Sequence, residues 1–282
     1  MSLRLRDALM RELDSLRYEP SDKRIRGQIG DVTVIDSTRA LLVWEPRRVV
    51  PTYAFPVEDI DGEVAAAPPA DDIDAQSAGV AAIGDAPRLA GRTVLDPSVP
   101  FSVRTTDGEP VTIRVAGGAG EAAAFRAADG ALAGHLIVDF DAFDAWYEED
   151  EPNVGHPRDP FHRIDIVRSS RHVRVEHEGT LLAESTNAHV LFEPPLPVRY
   201  YVPQRDVRMD LVRPSDKRST CAYKGHATYW AVDGFGDVGW SYPQPLREAA
   251  EVTGELAFFN EHVDIVVDGV ALERPQTPWS RR

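Results

Sequence analysis

Two stretches of this chain can be laid over one another, and that property narrows its folding more than any other. VIDSTRALLVWEPRRVVPTYAFPVEDI, residues 34–60, aligns with LLAESTNAHVLFEPPLPVRYYVPQRDV, residues 181–207, with a one-residue adjustment before the closing tyrosine-proline segment. Asp36-Ser37-Thr38 matches Glu184-Ser185-Thr186, Trp44-Glu45-Pro46 matches Phe192-Glu193-Pro194, and Tyr53, Pro56 and Asp59 match Tyr200, Pro203 and Asp206. Recurrence of aromatic, acidic and proline positions together implies two copies of one β unit. The copies are unequal. The second continues through CAYKGHATYWAV, VGWSYPQP and GELAFFNEHVDIVVDG, whereas the first passes into an Ala/Asp/Pro/Gly stretch and a different strand sequence.

Short β-branched runs such as DVTVID and ALLVWE predict strands from Ile25 onward, and the two prolines of PTYAFP limit sheet continuity. Further strands are expected over Phe101–Arg104, Val111–Val115, Ala122–Phe125 and Leu136–Asp139, separated by DG and GG turns. Leucines at mixed three- and four-residue steps predict a short amphipathic helix over Leu3–Tyr18, packed on the first sheet. The three-residue spacing of Phe143 and Trp146 predicts a helical turn in AFDAWYEED. Val64–Gly91 lacks a strand pattern and reads as a linker or variable loop. The expected division is 1–63 (helix and first part of a diverged repeat), 64–91 (linker), 92–168 (rest of the first lobe and an acidic, histidine-rich join), 169–270 (a more complete second domain) and 271–282 (tail or peripheral packing).

A chain of 282 residues with 43% apolar side chains can bury a sizeable core. Its 46 acidic against 31 basic residues, a net charge of −15, disfavour nucleic acid and anionic membrane surfaces as partners while leaving room for a local basic pocket. Only Lys23, Lys217 and Lys224 are lysines, so Lys224 stands out among basic side chains that are otherwise arginine. A single cysteine, Cys221, excludes an intramolecular disulfide framework and suits a reducing compartment. No signal-peptide pattern or run of eighteen apolar residues occurs, so the expectation is a cytoplasmic protein without a membrane span.

Taken together, SSRHVRVEHEG, ESTNAHVLFE, LPVRYYVPQRDV, CAYKGHATYW, WSYPQP and AFFNEHVDIVVDG, in that order from about Ser169 to Gly269, resemble the DUF427 family. This bacterial family of uncertain function is sometimes labelled nucleotidyltransferase-like. The resemblance extends to a diverged N-terminal copy and to FDAWYEEDEPNVGHPRDPFHR, similar to the join of two-copy members. It implies a mainly β fold: two related bent antiparallel β units similar to β-tent or Mss4-like folds, with short peripheral helices. Zinc sites of that broader fold use paired cysteines, which this chain lacks, and no Gly-Ser plus paired-aspartate signature of nucleotidyl transfer is present. No cofactor or metal is expected.

The candidate chemistry lies in the second copy. Lys224 can stabilise a phosphate or carboxylate, and Gly225 can let backbone approach that ligand; the alternative for Lys224 is a structural ion pair. Cys221 is a candidate nucleophile if Lys224 supplies a positive field, or else a packed thiol; strand alternation separates His226 from it. Glu193 can handle a proton, Arg199 can fork onto an anion, Tyr201 offers ring and hydroxyl, and Asp206 completes this constellation; the alternative is a Glu-Arg network bracing the sheet. The first copy lacks a counterpart of Arg199 unless Arg47 or Arg48 compensates. Trp240 and Tyr242 are the candidate rim of a pocket. The run Glu148-Glu149-Asp150-Glu151 with His156, Asp159 and His162 has the spacing of neither a zincin helix nor a calcium loop, and reads as salt bridges to Arg158, Arg163 and nearby arginines. The expected function is binding of a small polar or anionic ligand by the second domain, with carbonyl or phosphoryl chemistry open. The rival is a noncatalytic regulatory, structural or protein-interaction module, and a β edge leaves room for a homodimer.

Overall fold

A computed structural model describes residues 2, 11–67, 80–81, 93–194, 196–277 and 280. The chain forms two units, the first drawn from described residues up to Asp159 and the second from Pro160 onward. Both are built of antiparallel strands with short 3-10 turns.

In the first unit the strands are β1 (Arg17–Pro20), β2 (Ile25–Ile29), β3 (Val32–Ser37), β4 (Leu41–Trp44), β5 (Thr52–Pro56), β6 (Glu63–Ala66), β7 (Val80–Ala81), β8 (Thr93–Val94), β9 (Gly108–Arg114), β10 (Glu121–Ala127), β11 (His135–Val138), β12 (Ala145–Glu148) and β13 (Glu151–Asn153). They make a seven-stranded sheet in the order β1-β4-β5-β11-β10-β9-β6, a four-stranded sheet β13-β12-β2-β3, and the small β7-β8 pair. The second unit contains β14 (Asp165–Arg168), β15 (Val173–His177), β16 (Thr180–Ser185), β17 (His189–Phe192), β18 (Arg199–Val202), β19 (Arg213–Cys221), β20 (Gly225–Val232), β21 (Gly236–Ser241), β22 (Leu256–Phe258), β23 (Asp264–Val267) and β24 (Val270–Ala271). Its sheets run β14-β17-β18-β22-β21-β20-β19 and β16-β15-β23-β24. Taken strand by strand along the chain, the order of the two seven-stranded sheets is the same.

The likeness reaches single hydrogen bonds. Ser37 Oγ donates to Asp59 Oδ2 at 2.6 Å and accepts from the Arg39 amide, while Ser185 Oγ donates to Asp206 Oδ2 at 2.6 Å and accepts from the Asn187 amide. The Asp61 amide reaches Val34 O as the Arg208 amide reaches Leu182 O, each at 2.7 Å. A register shift interrupts β2–β3 beside Gly27 and β15–β16 beside Val175.

Period-2 alternation gives each seven-stranded sheet two apolar faces. In the first unit Leu42, Phe55, Ile113, Leu136 and Val138 pack on Ile25, Val34 and Ile35 of the smaller sheet, while Leu41, Val43, Ala54 and Ile137 point the other way. In the second unit Val190, Tyr200, Val202, Leu256 and Phe258 meet Val173, Val175, Ile265 and Val267. The opposite face carries Leu191, Tyr201, Tyr229, Trp240, Tyr242 and Phe259. Full burial of each such side chain stabilises by about 1.5–3 kcal/mol, so both faces anchor the fold.

Several local expectations change. Leu3–Met10 lie outside the described residues, and the end of the expected helix, Arg17–Tyr18, is in β1, paired with Val43 and Trp44. Phe101–Arg104 is a turn rather than a strand, held because Arg48 donates to the carbonyls of Pro100 and Val103. AFDAWYEED is strand β12 after a 3-10 turn at Phe140–Ala142; the Phe143 and Trp146 rings do meet, at 4.4 Å, without a helix between them. Val64–Ala66, read as the start of a linker, pairs with β9. The segment after Ala271 packs on its unit, with Asn260 Nδ2 donating to Glu273 O and Thr277 Oγ1 to Glu261. Among the described residues no helix is long and apolar enough to cross a membrane.

Candidate functional site

The outer face of the second seven-stranded sheet carries most of the residues singled out from the sequence. Strand alternation puts Tyr200 and Val202 into the inter-sheet core, which leaves Arg199 and Tyr201 on the outer face. Glu193 follows β17, and Lys224 sits in the tight turn joining β19 to β20. Gly225 closes that turn at φ +91°, a left-handed conformation that favours glycine. A Cβ there would lie 3.3 Å from Leu246, so this backbone meets the protein's own chain; it bridges Pro245, and the Leu246 amide donates to Lys224 O at 3.1 Å.

Lys224 Nζ donates to Glu193 Oε2 at 2.5 Å, and both side chains are buried. His162 Nε2 lies 3.7 Å from Glu193 Oε1. Burial alone pushes the Glu193 carboxyl up, but the charge of Lys224 and the hydrogen bonds of His162 and Lys224 overcome it and hold the group at about 2. The lysine responds reciprocally: burial lowers it, while Glu193, Cys221 and Tyr201 raise it above its ordinary value. Burial drives the Tyr201 hydroxyl up to about 12 even against the pull of Lys224, and raises Tyr242 as well.

The hydrogen-bond accounting of this cluster is uneven. Among the described residues Lys224 has one acceptor for three N–H bonds, Tyr201 Oη accepts from Trp240 Nε1 at 3.1 Å without donating its own proton, and the Tyr242 hydroxyl has no partner. Four donor hydrogens are therefore unspent, two on Lys224 and one on each tyrosine. Cys221 is partly exposed and packs on the Tyr229–Trp240 cluster.

Of the expected constellation Glu193 and Tyr201 stay together beside Lys224, while Arg199 and Asp206 are engaged elsewhere. Arg199 forks onto Glu261 at 2.6 and 2.8 Å, and its guanidinium stands 5.4 Å from the Trp240 ring centre. Thr277 gives Glu261 a further bond of 2.8 Å. Asp206 is engaged by Ser185, with Arg205 Nε 3.8 Å away. Trp240 and Tyr242, expected at a rim, are 9% and 5% exposed and belong to the core cluster. His226 is exposed and bonds Thr220 Oγ1. The approach of His162 to Glu193 was missed, because nothing in the sequence spacing ties residue 162 to residue 193.

In the first unit Glu45, aligned with Glu193, is fully buried; Arg104 Nη1 donates to it at 2.7 Å and the Thr105 amide at 3.3 Å. The Arg104 guanidinium lies 3.6 Å from the Phe101 ring centre and 4.6 Å from that of Phe125, and burial lowers its pKa to about 10. Arg48, a possible spatial substitute for Arg199, has its Nε 3.7 Å from Glu45 Oε2 while its Nη atoms donate to backbone carbonyls. The acidic run is paired with Arg158 and nearby cations but not with Arg163: Glu148 takes Tyr53 Oη, Lys23 and Arg158, and Asp150 takes Arg26, whereas Arg163 pairs with Glu248 outside the run. Among the described residues no group of three or more histidine, cysteine or acidic side chains is placed to hold a metal ion.

Residues 165–269, all within the second unit, match the family model described as Domain of unknown function (DUF427). No curated protein matches the chain.

Proposed function

We propose that the DUF427 domain of residues 165–269 is a binding module whose outer sheet face takes a small oxyanion, a phosphate or carboxylate group, at Lys224, Tyr201 and Tyr242. The observation that carries this reading is a buried ammonium with one acceptor beside the hydroxyls of Tyr201 and Tyr242, neither of which donates its proton to a protein group among the described residues. Buried donors are rarely left unpaired, and a ligand made of acceptors would complete them. Part-exposed Cys221 and His162, the latter 27% exposed at its side chain, mark the open side. Glu193 acts as a positioning residue that fixes the ammonium.

The reading is binding rather than catalysis because both titratable partners are poised away from proton transfer near neutral pH. A carboxyl held at about 2 is a weak base, and a lysine raised above its ordinary value is a weak acid and a poor nucleophile. We also infer that the two units are copies of one ancestral unit, the first of which has lost the site. Ala54 and Thr52 stand where the second has Tyr201 and Arg199, and Arg104, enclosed by Phe101 and Phe125, takes the carboxylate. The single thiol suits a reducing compartment such as the cytoplasm.

The test is isothermal titration of the protein with inorganic phosphate and with acetate, alongside the double variant Glu193→Gln/Lys224→Met, which removes both charges together. Saturable binding to the wild type and none to the folded double variant is expected. Absence of binding to the wild type, or equal binding to both, overturns the proposal. A second reading, that the ion pair only pins the sheet, is favoured by buried Glu45 and Arg104 at the corresponding place in the first unit; it takes over if neither anion binds.

A further inference from the structure

His162 reaches the Lys224 cluster from the start of the second unit, three residues ahead of β14. Its Nε2 lies 3.7 Å from Glu193 Oε1, while Lys224 Nζ takes the other carboxylate oxygen, Oε2, at 2.5 Å. One carboxylate thus stands between a fixed ammonium and an imidazole, each on its own oxygen. The imidazole packs with its ring centre 5.7 Å from that of Tyr223, in the turn that carries Lys224. Its side chain keeps 27% of its surface open, so a ligand entering from solvent can reach it.

The charged and titratable groups around the ring behave differently from it. Arg163, the next residue, pairs with Glu248 of the 3-10 turn Arg247–Val252 and stands 5.3 Å from the same Tyr223 ring. Glu193 is held at about 2, Lys224 is raised above its ordinary value, and burial raises the Tyr201 and Tyr242 hydroxyls, so these four keep one protonation state between pH 6 and 8. Cys221, at the end of β19, is the remaining titratable group whose charge is felt by Lys224 and Tyr201. Imidazole is the side chain whose ordinary titration falls in this interval. With the ring neutral, the one carboxylate offsets the one ammonium. With the ring protonated, Glu193 is shared between two cations, and positive charge is left over for a ligand.

We propose that His162 sets the charge preference of the oxyanion site: in its protonated form it favours a doubly charged oxyanion of the phosphate or sulfate class over a carboxylate. This inference rests on the oxyanion reading of Lys224, Tyr201 and Tyr242. A dianion is matched by two cationic donors, the ammonium and the imidazolium, whereas a carboxylate needs only the first.

Isothermal titration with sulfate and with acetate at pH 6.0 and pH 8.0, at constant ionic strength, tests this, because neither anion changes charge over that interval. Sulfate is expected to bind at least tenfold more tightly at pH 6.0, and acetate to change by less than threefold. His162→Gln is expected to bind sulfate equally at both pH values while keeping its affinity for acetate. The reciprocal effect is read in the wild type by histidine NMR, with the resonance assigned by its loss in His162→Gln: saturating sulfate raises the His162 imidazole pKa by about one unit, the counterpart of a tenfold change in affinity. With acetate bound, sulfate binding that is absent or independent of pH, a pH dependence that survives in His162→Gln, or an imidazole titration unmoved by sulfate overturns this inference and leaves the oxyanion reading standing. Binding of neither anion to the wild type overturns both.

Discussion

Lys224→Met tests the electrostatics of the buried pair, because it removes the ammonium while nearly preserving side-chain length. In the wild type the Glu193 carboxyl sits at about 2 rather than the usual 4.5. At 1.36 kcal/mol per unit, that depression corresponds to a stabilisation on the order of 3 kcal/mol at neutral pH. Because the folded-state value is the lower one, this contribution is complete above about pH 5 and is lost as pH falls toward 2. In Lys224→Met the charge and hydrogen bond of the lysine are gone, burial is opposed by His162 alone, and the carboxyl rises. The variant is expected to be about 3–5 kcal/mol less stable at pH 7, the cost of stranding a buried charge, and the deficit shrinks as acid neutralises Glu193. The double variant Glu193→Gln/Lys224→Met recovers most of the loss. Native-state hydrogen exchange on peptides covering β17 and β20, corrected for intrinsic rates at each pH, reads the local free energy directly. A pH-independent deficit, or single-variant losses that add in the double variant, would refute the reasoning.

Three further outcomes follow from the same geometry. Gly225→Ala places a Cβ at a φ of +91° and 3.3 Å from Leu246, so a loss of about 1–3 kcal/mol is expected by thermal denaturation, and an unchanged midpoint contradicts the packing of that turn. Arg199→Met leaves the Glu261 carboxylate, 7% exposed, with Thr277 in place of a guanidinium; about 3–5 kcal/mol is lost and proteolysis beyond Glu273 accelerates, read by timed digestion. Glu45→Gln strips the buried Arg104 of its anion, and exchange protection over β4 and β9 is expected to fall by a comparable amount.

What the sequence conveyed was local and periodic. The β-branched runs of Val32–Ser37 and Thr180–Ser185 became β3 and β16, and the Ser37–Asp59 and Ser185–Asp206 bonds sit where the repeat aligns them. Lys224 and Glu193 stood out by residue type, yet their pairing joins positions 31 apart and no periodicity links them. Arg199 was grouped with its sequence neighbours although its partner Glu261 lies 62 positions on, brought near by the β18–β22 pairing. Phe101–Arg104 has the composition of a strand, but the carbonyl contacts of Arg48 hold it as a turn. Trp240 and Tyr242 read as rim residues because aromatic side chains suit both settings; in the fold Trp240 meets the rings of Phe259 and Tyr201, and Tyr242 joins the same buried cluster.

The central claim, that donors on the outer face of the DUF427 domain receive an oxyanion, is tested most directly by a crystal structure of the protein grown with inorganic phosphate. The account predicts tetrahedral density within hydrogen-bond distance of Lys224 Nζ and the Tyr242 hydroxyl, with the Glu193 contact retained. Lys224 and both tyrosine hydroxyls satisfied by protein groups or water, with no anion at saturating phosphate, would contradict it.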